Sequence, residues 1–504
     1  MISKLNNYKK EITILALWFP FLFAINTNLT DILYLGRGLT PNINAIRITI
    51  FLFSFLFLFF LFLKNYKKIK LSNSIFFLYL LIFIIQSNFI FTKNFGQLIA
   101  NSNVFFSGNF PDIIAYINVL SVGLEIQSIY MMIGSIGAII YFIIFNDKKY
   151  EKIVKNQIII TSLIIGSVYL YFSIDIIIEY FTNDKLLMLY HSKVLNSGKF
   201  FGYEMTRSTG ISRIFVMISI ITLLFLFRFK NNYLKILGFL LIIFLNTTII
   251  LLSSRFGTYS YIIIMLIIML FIKISYLNKI IIIITISFIP YFIQDTFKQY
   301  KLYTLIKTGN VNNTYNFPIL DVITRSNKSY EKEKEEMINN SVSINRNLIK
   351  KNKENNLYQI DTTGRVDIWK KIYNLTLDNN VNFWIGNGYQ ADRKLLTNYN
   401  FDKAEFYGSN ISNALLHIFV CSGLIGVFIF LYINLKVLIR IFQFYFIEKI
   451  FLNYNANFWL IIAINIVLLL YLRCLVEISI AYYNIDFLIF LMCLYIIDKK
   501  RNII

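Results

Sequence analysis

The side chains best placed for chemistry in this sequence are arginines, because histidines and nucleophile motifs are scarce. His191 and His417 are the only histidines in 504 residues. No glycine-rich loop runs into Lys-Ser/Thr, and there is no nucleophile elbow. The sequence shows no Cys/His metal cluster either, so neither a metal nor a cofactor is expected. Four arginines stand out by position. Arg255, in Leu252-Ser253-Ser254-Arg255-Phe256-Gly257, lies in a very short connection between two apolar runs. A cation so near hydrocarbon snorkels, is paired, or faces an anion. Arg207 and Arg213 flank Ser208-Thr209-Gly210-Ile211-Ser212 at the start of another run. Helix-end N–H groups there would add to an anion site, unless Ser208 or Thr209 serves only as a cap. Arg365, in Thr362-Thr363-Gly364-Arg365-Val366-Asp367-Ile368-Trp369, opens an amphipathic stretch that Thr362 or Thr363 could cap. Guanidinium keeps its proton at any useful pH and grips phosphate oxygens in bidentate fashion. Arginines converging from these segments would suit a diphosphate, and would stabilise a departing one without metal.

The elements that must position these residues are apolar. The chain is 57% hydrophobic and 17% aromatic, more than one soluble core can bury. Its apolar residues fall into runs at 11–26, 43–63, 74–92, 124–145, 157–180, 211–228, 235–252, 257–272, 280–294, 413–435, 457–474 and 479–497. Most are long enough to cross about 30 Å of hydrocarbon as helix. The fourth run has an open start, since 111–125 also suits a re-entrant or interfacial segment. The expected fold class is all-α, a polytopic integral membrane helical bundle of about twelve transmembrane helices. The basic start, Met1 to Lys10, precedes no clean cleavage site and is read as leading into a retained first helix.

A formal charge of +22 would suggest nucleic acid in a soluble protein. Here the basic residues occupy alternate loops: Lys64 to Lys70, Asp147 to Lys155, Arg228 to Lys235, Lys273 to Lys279, Lys436 to Lys449 and the tail Lys499-Lys500-Arg501. That is the positive-inside pattern, so nucleic acid is not an expected partner and both termini are expected in the cytoplasm. Cys421, Cys474 and Cys493 sit in apolar runs and offer no disulfide framework. Three parts result: 1–294, with nine spanning helices and an external loop at 181–210; 295–412, a large external loop between the ninth and tenth helices; and 413–504, with three helices and a cytoplasmic tail. Within the large loop, the charged stretch from Tyr330 to Asn356 reads as a solvated helix or strip. The part at 361–410, with Trp369 and Trp384, is expected to fold against the membrane domain. Asp175 and Glu477 are the main charges expected within the membrane, where few are expected. No internal repeat of the transporter kind is found.

With these landmarks on the page, the chain resembles the O-antigen ligase and polymerase superfamily of bacterial envelope polysaccharide assembly. Ser253-Ser254-Arg255-Phe256-Gly257 resembles its Ser-Arg-Gly element. Thr363-Gly364-Arg365 with Ile368-Trp369, then Ile385-Gly386-Asn387-Gly388, resemble landmarks of its large periplasmic loop. Asn413, nine residues and then Gly423-Leu424-Ile425-Gly426 resemble its closing motif. The resemblance covers roughly 205–435. It implies an inner-membrane protein using an undecaprenyl-diphosphate-linked glycan, held by periplasmic arginines, for glycosyl transfer without metal or nucleotide. Membrane lipid and a chain-length regulator are the other partners it implies. Arg255 and Arg365 would be catalytic, with Glu405 as the first candidate base and Asp402 and Glu204 as others. Arg207, Arg213, Trp369, Ser412 and Asn413 would bind substrate. Two positions depart from the ligase pattern: Ser412 stands where ligases that attach glycan to lipid A-core carry His, and Val427-Phe428 stand where a Thr-Trp ending is usual. Serine alone is no general base near neutral pH, so polymerase is the first expectation and ligase the second. A polysaccharide or lipid-linked oligosaccharide transporter is the rival of another class. His417 is expected to be a packed or hydrogen-bonded core residue, and Gly423 and Gly426 to permit close helix packing.

Overall fold

The computed structural model describes residues 75–88, 129, 131–145, 151–182, 199–200, 203–204, 208–252, 254–307, 365–378, 381–393, 395, 411–481 and 484–501, with scattered residues between 55 and 63. The first apolar run, the stretch from Tyr330 to Asn356, and Arg207, Asp402 and Glu405 lie outside them. The helices are α1 (Ile75–Gln86), α2 (Met131–Ile144), α3 (Glu151–Thr182), α4 (Ser208–Arg228), α5 (Asn232–Leu251), α6 (Arg255–Phe271), α7 (Tyr276–Lys307), α8 (Arg365–Leu377), α9 (Ala414–Phe442), α10 (Tyr454–Cys474) and α11 (Ile485–Arg501). The only strands among the described residues are two-residue pieces, Lys199–Phe200 and Tyr203–Glu204, paired antiparallel.

The architecture is all-α. Among the described residues, five stretches are long and apolar enough to cross a membrane: Val154–Ile178, Asn232–Leu251, Tyr276–Phe297, Ala414–Ile447 and Ile450–Cys474. Their surfaces carry side chains that water would not tolerate together. On α7, Ile280, Ile281, Ile284, Phe288 and Phe292 are all at least half exposed; such a band calls for lipid. Inside, one continuous core draws on every one of these helices except α8, and polar side chains pair across helices. The Tyr79 hydroxyl donates to Asn434 at 3.2 Å, and Tyr445 to Asn465 at 3.1 Å. Each such bond contributes about 0.6 kcal/mol in a membrane interior.

Sequence-based expectations change at three points that bear on the site. The helix expected to end at residue 294 continues as α7 to Lys307, carrying Pro290 inside it, so the large connection starts later. The last helix starts not at 479 but at Ile485, because the Asn484 side chain accepts the Phe487 N–H at 2.8 Å and donates to the Ser479 carbonyl at 2.9 Å, which fixes a cap there. The third correction concerns Gly423, which does more than let helices approach. It breaks α9, with φ 64° and ψ −166°, a backbone region open essentially only to glycine.

A loop from the large connection fills that break. In an unbroken helix Leu424 and Ile425 would donate to the carbonyls of Val420 and Cys421. Instead Leu424 N–H donates to the Phe383 carbonyl at 2.8 Å and Ile425 N–H to that of Trp384 at 3.2 Å. The freed carbonyls of Val420 and Cys421 accept from Asn387 and Gly388 at 2.8 and 3.0 Å. These four polar groups released by the break thus find partners on the loop, which irregular backbone at membrane depth requires. Gly386 faces Gly423 across the contact. A Cβ on Gly386 would fall 2.4 Å from the Cys421 carbonyl carbon, and one on Gly423 2.2 Å from that of Trp384. Gln86 and Asn88, at the end of α1, secure the same joint: Gln86 donates to Ser422 at 2.8 Å, Asn88 to the Gly386 carbonyl at 3.3 Å, and Tyr389 N–H to the Gln86 carbonyl at 3.0 Å.

Gly423→Ala and Gly386→Ala should therefore each lower the thermal midpoint in detergent sharply. The backbone strain alone is about 1–3 kcal/mol, and the clash adds to it. Gly166→Ala in α3, where nothing lies within 4 Å, should leave the midpoint level or raise it slightly. Equal midpoints for all three variants, read by fluorescence unfolding, would remove the joint as a stability determinant.

Candidate functional site

The end of the bundle opposite the basic loops gathers the segments singled out above. It holds the starts of α4, α6 and α9, the end of α10, the start of α11, and α8. Helix α6 starts at Arg255 itself, because the Ser254 hydroxyl accepts the Gly257 N–H at 3.2 Å and caps it. The same hydroxyl lies 2.7 Å from that of Ser212 on α4. This bond ties the Arg255 turn to the Arg213 turn, so two of the sequence candidates sit on neighbouring helix ends. The side chains of Arg255 and Arg365 lie outside the described residues, and so does that of Glu204. Of Arg255 and Arg365 the backbone shows that each opens a helix.

Arg213 has an immediate anionic neighbour. Its Nε is 2.9 Å from Asp486 Oδ1, and Arg473 Nε is 3.2 Å from Asp486 Oδ2. One fully buried carboxylate on α11 therefore bridges guanidiniums from α4 and α10. Two cations share one anion, and Glu477 lies half-buried one turn after Arg473, its N–H donating to the Arg473 carbonyl at 2.8 Å. Neither Arg473, at the end of one apolar run, nor Asp486, inside the next, is among the sequence candidates.

The other sequence candidates serve the same end as struts. Trp369 on α8 donates its indole N–H to the Ile411 carbonyl at 2.7 Å. Below it, Ile372 and Leu375 pack with Ile411, Val420, Cys421 and Ile478 in a second, smaller apolar cluster. Asn413 caps α9, accepting from Leu416 N–H at 3.1 Å, and donates to the Leu475 carbonyl at 3.2 Å. Ser412 adopts φ 48°, a left-handed conformation unusual outside glycine, which turns the chain into that cap. Arg365 thus heads a helix anchored beside the closing motif.

A second polar cluster lies behind this surface. Asp392, at the end of the inserted loop, places Oδ1 3.1 Å from His417 Nδ1, and Cys421 Sγ lies 3.7 Å from His417 Nε2; all three side chains are fully buried. His417 is buried and partnered, as expected, and its partner is Asp392, a residue of the inserted loop. Burial works against the Asp392 carboxylate, yet the His417 charge, Arg393 and the Ile411 N–H at 3.3 Å together hold it below the usual carboxylate range. The sequence offered one sign of this cluster, the four-residue spacing of His417 and Cys421 that puts them on one helix face; Asp392 comes from a separate segment. No family model, curated protein or solved structure matches this chain.

Asp486→Asn should be among the most damaging polar substitutions here, costing about 3–5 kcal/mol by removing the buried charge that both guanidiniums contact. Glu448→Gln, which breaks the more exposed 3.0 Å contact with Arg440, should cost about 1 kcal/mol or less. Unfolding midpoints of the two variants, side by side, check the contrast.

Proposed function

We propose that this chain is a bacterial inner-membrane glycosyltransferase of the O-antigen ligase and polymerase type, joining repeat units carried on undecaprenyl diphosphate at the periplasmic face. In this reading about twelve helices cross the membrane, both termini are cytoplasmic, and the connection between α7 and α9 is the large periplasmic loop. The observation that carries it is the bond between Ser212 and Ser254. It draws the turns of Arg213 and Arg255 together at one end of the bundle, beside Arg473 and Asp486.

The chemistry follows from charge. A sugar hydroxyl of one lipid-linked unit attacks the anomeric carbon of the other, a new C–O glycosidic bond forms, and the bond from that carbon to the diphosphate breaks. The electron pair leaves with the lipid diphosphate, and the hydroxyl proton passes to a base, for which Glu405 is the first candidate. Arg255 and Arg365 hold the departing diphosphate, with Arg207 or Arg213 beside them; in a low-dielectric wall of helices that contact is strong. Arg213 is already paired with Asp486, which supports a positioning share for it and leaves direct grip to Arg255 and Arg365. Trp369, Ser412 and Asn413 shape the wall that carries Arg365. Serine at position 412 favours polymerase over ligase. A chain-length regulator would be the partner that sets product size.

Arg255→Ala or Arg365→Ala should abolish polymer while leaving the protein in the membrane. Losing one charged donor costs about 1.5–3 kcal/mol, roughly ten- to a hundredfold in rate for each contact made in the transition state. Lysine at either position should rescue poorly, since it lacks the bidentate fork. Single repeat units left on the acceptor would mark a polymerase, and long chains stranded on the carrier lipid a ligase. Wild-type ladders from both alanine variants would overturn the assignment.

A further inference from the structure

From the placement of three ligand atoms we infer that Asp392, His417 and Cys421 form a site for a divalent transition metal of the zinc class, clamping the inserted loop to the broken helix. This goes beyond glycosyl transfer and does not depend on it. The three atoms lie within 4.8 Å of one another, and all three residues are fully buried. Zinc bond lengths of about 2.0–2.3 Å in tetrahedral arrangement put neighbouring ligand atoms roughly 3.3–3.7 Å apart. The observed separations are 3.1 Å from the carboxylate to Nδ1 and 3.9 Å from Nδ1 to sulfur, with all three ligand atoms inside 4.8 Å, so side-chain adjustments on the order of an ångström bring them to those spacings.

The chemistry of the three groups favours a metal. Asp392 Oδ1 and His417 Nδ1 lie 3.1 Å apart with both side chains fully buried. The donor set matches zinc: thiolate, imidazole and carboxylate are its protein ligands, and three of them with a water in the fourth position complete a tetrahedron. A thiolate and a carboxylate together balance a divalent charge, even with Arg393 beside Asp392. The ligands come from the two pieces that the Gly386 and Gly423 contact brings together. A metal there would lock the joint by coordination where the backbone bonds lock it sterically. Being fully enclosed, it would touch no sugar or diphosphate, so the arginine chemistry is unaffected by its presence.

Full-length protein, purified with its affinity tag removed, should carry about one zinc per chain by elemental mass spectrometry. Cys421→Ser, close in shape to the parent, should lose at least tenfold of that content (roughly 1.4 kcal/mol or more in binding) while still eluting as a single folded species. Chelator-stripped wild type titrated with cobalt(II) should develop a thiolate-to-cobalt charge-transfer band in the near ultraviolet. The band should be absent in Cys421→Ser and retained in Cys474→Ser, whose sulfur is elsewhere. The cobalt spectrum of the wild type decides the matter even if the variants fold poorly. Wild-type protein with no stoichiometric zinc and no such band, or a band unchanged in Cys421→Ser, would overturn the proposal.

Discussion

The structure turns on an exchange of backbone hydrogen bonds. A helix that stops in a lipid-facing bundle strands donors and acceptors that no water can satisfy, at several kcal/mol each. At Gly423 the stranded groups are those of Val420, Cys421, Leu424 and Ile425, and Phe383, Trp384, Asn387 and Gly388 answer them one for one. The exchange works only if two chain segments touch backbone to backbone, which is why glycine stands on both sides. Helix α9 can therefore be interrupted where a continuous helix would exclude the loop, and the loop is held in one register.

From that joint the rest of this end of the bundle takes its position. The loop runs on to Asp392, which reaches His417 on α9 and the backbone of Ile411; Ile411 in turn receives the Trp369 indole. Helix α8, and with it the backbone of Arg365, is thereby fixed beside the start of α9. Asn413 carries the linkage to Leu475 at the end of α10, next to the Arg473 and Asp486 network that joins α4. From α4 the Ser212 contact reaches α6 at Arg255. Segments far apart in the chain are joined by single directed bonds between helix ends, where side chains can change without disturbing the apolar core.

Much of this is legible in the sequence, for definite reasons. Helices α4, α5, α6 and α10 begin and end within a few residues of their apolar runs, because hydrocarbon thickness and basic loops set both length and ends. The amphipathic stretch after Arg365 reads as a helix and forms one. What stays hidden depends on contacts between distant segments. Gly423 and Gly386 each look like ordinary small residues; only their meeting explains them. Asp486 is one carboxylate within the last apolar run until the structure shows it as the bridge between two arginines. Asp392 is one acidic residue in a polar loop until His417 is brought beside it. The end of α7 escapes the hydropathy pattern because residues beyond 294 are polar, yet the helix continues past its apolar part, as an amphipathic extension at a membrane edge can.

Amide hydrogen exchange in lipid-reconstituted protein tests the joint most directly, at Asn387 and Gly388. If these amides donate to the carbonyls of Val420 and Cys421, they should exchange orders of magnitude more slowly than a free peptide, in step with Leu424 and Ile425. Rapid exchange at Asn387 and Gly388 beside slow exchange along an unbroken α9 would contradict it, and that end of the bundle would lose the contact that holds it in place.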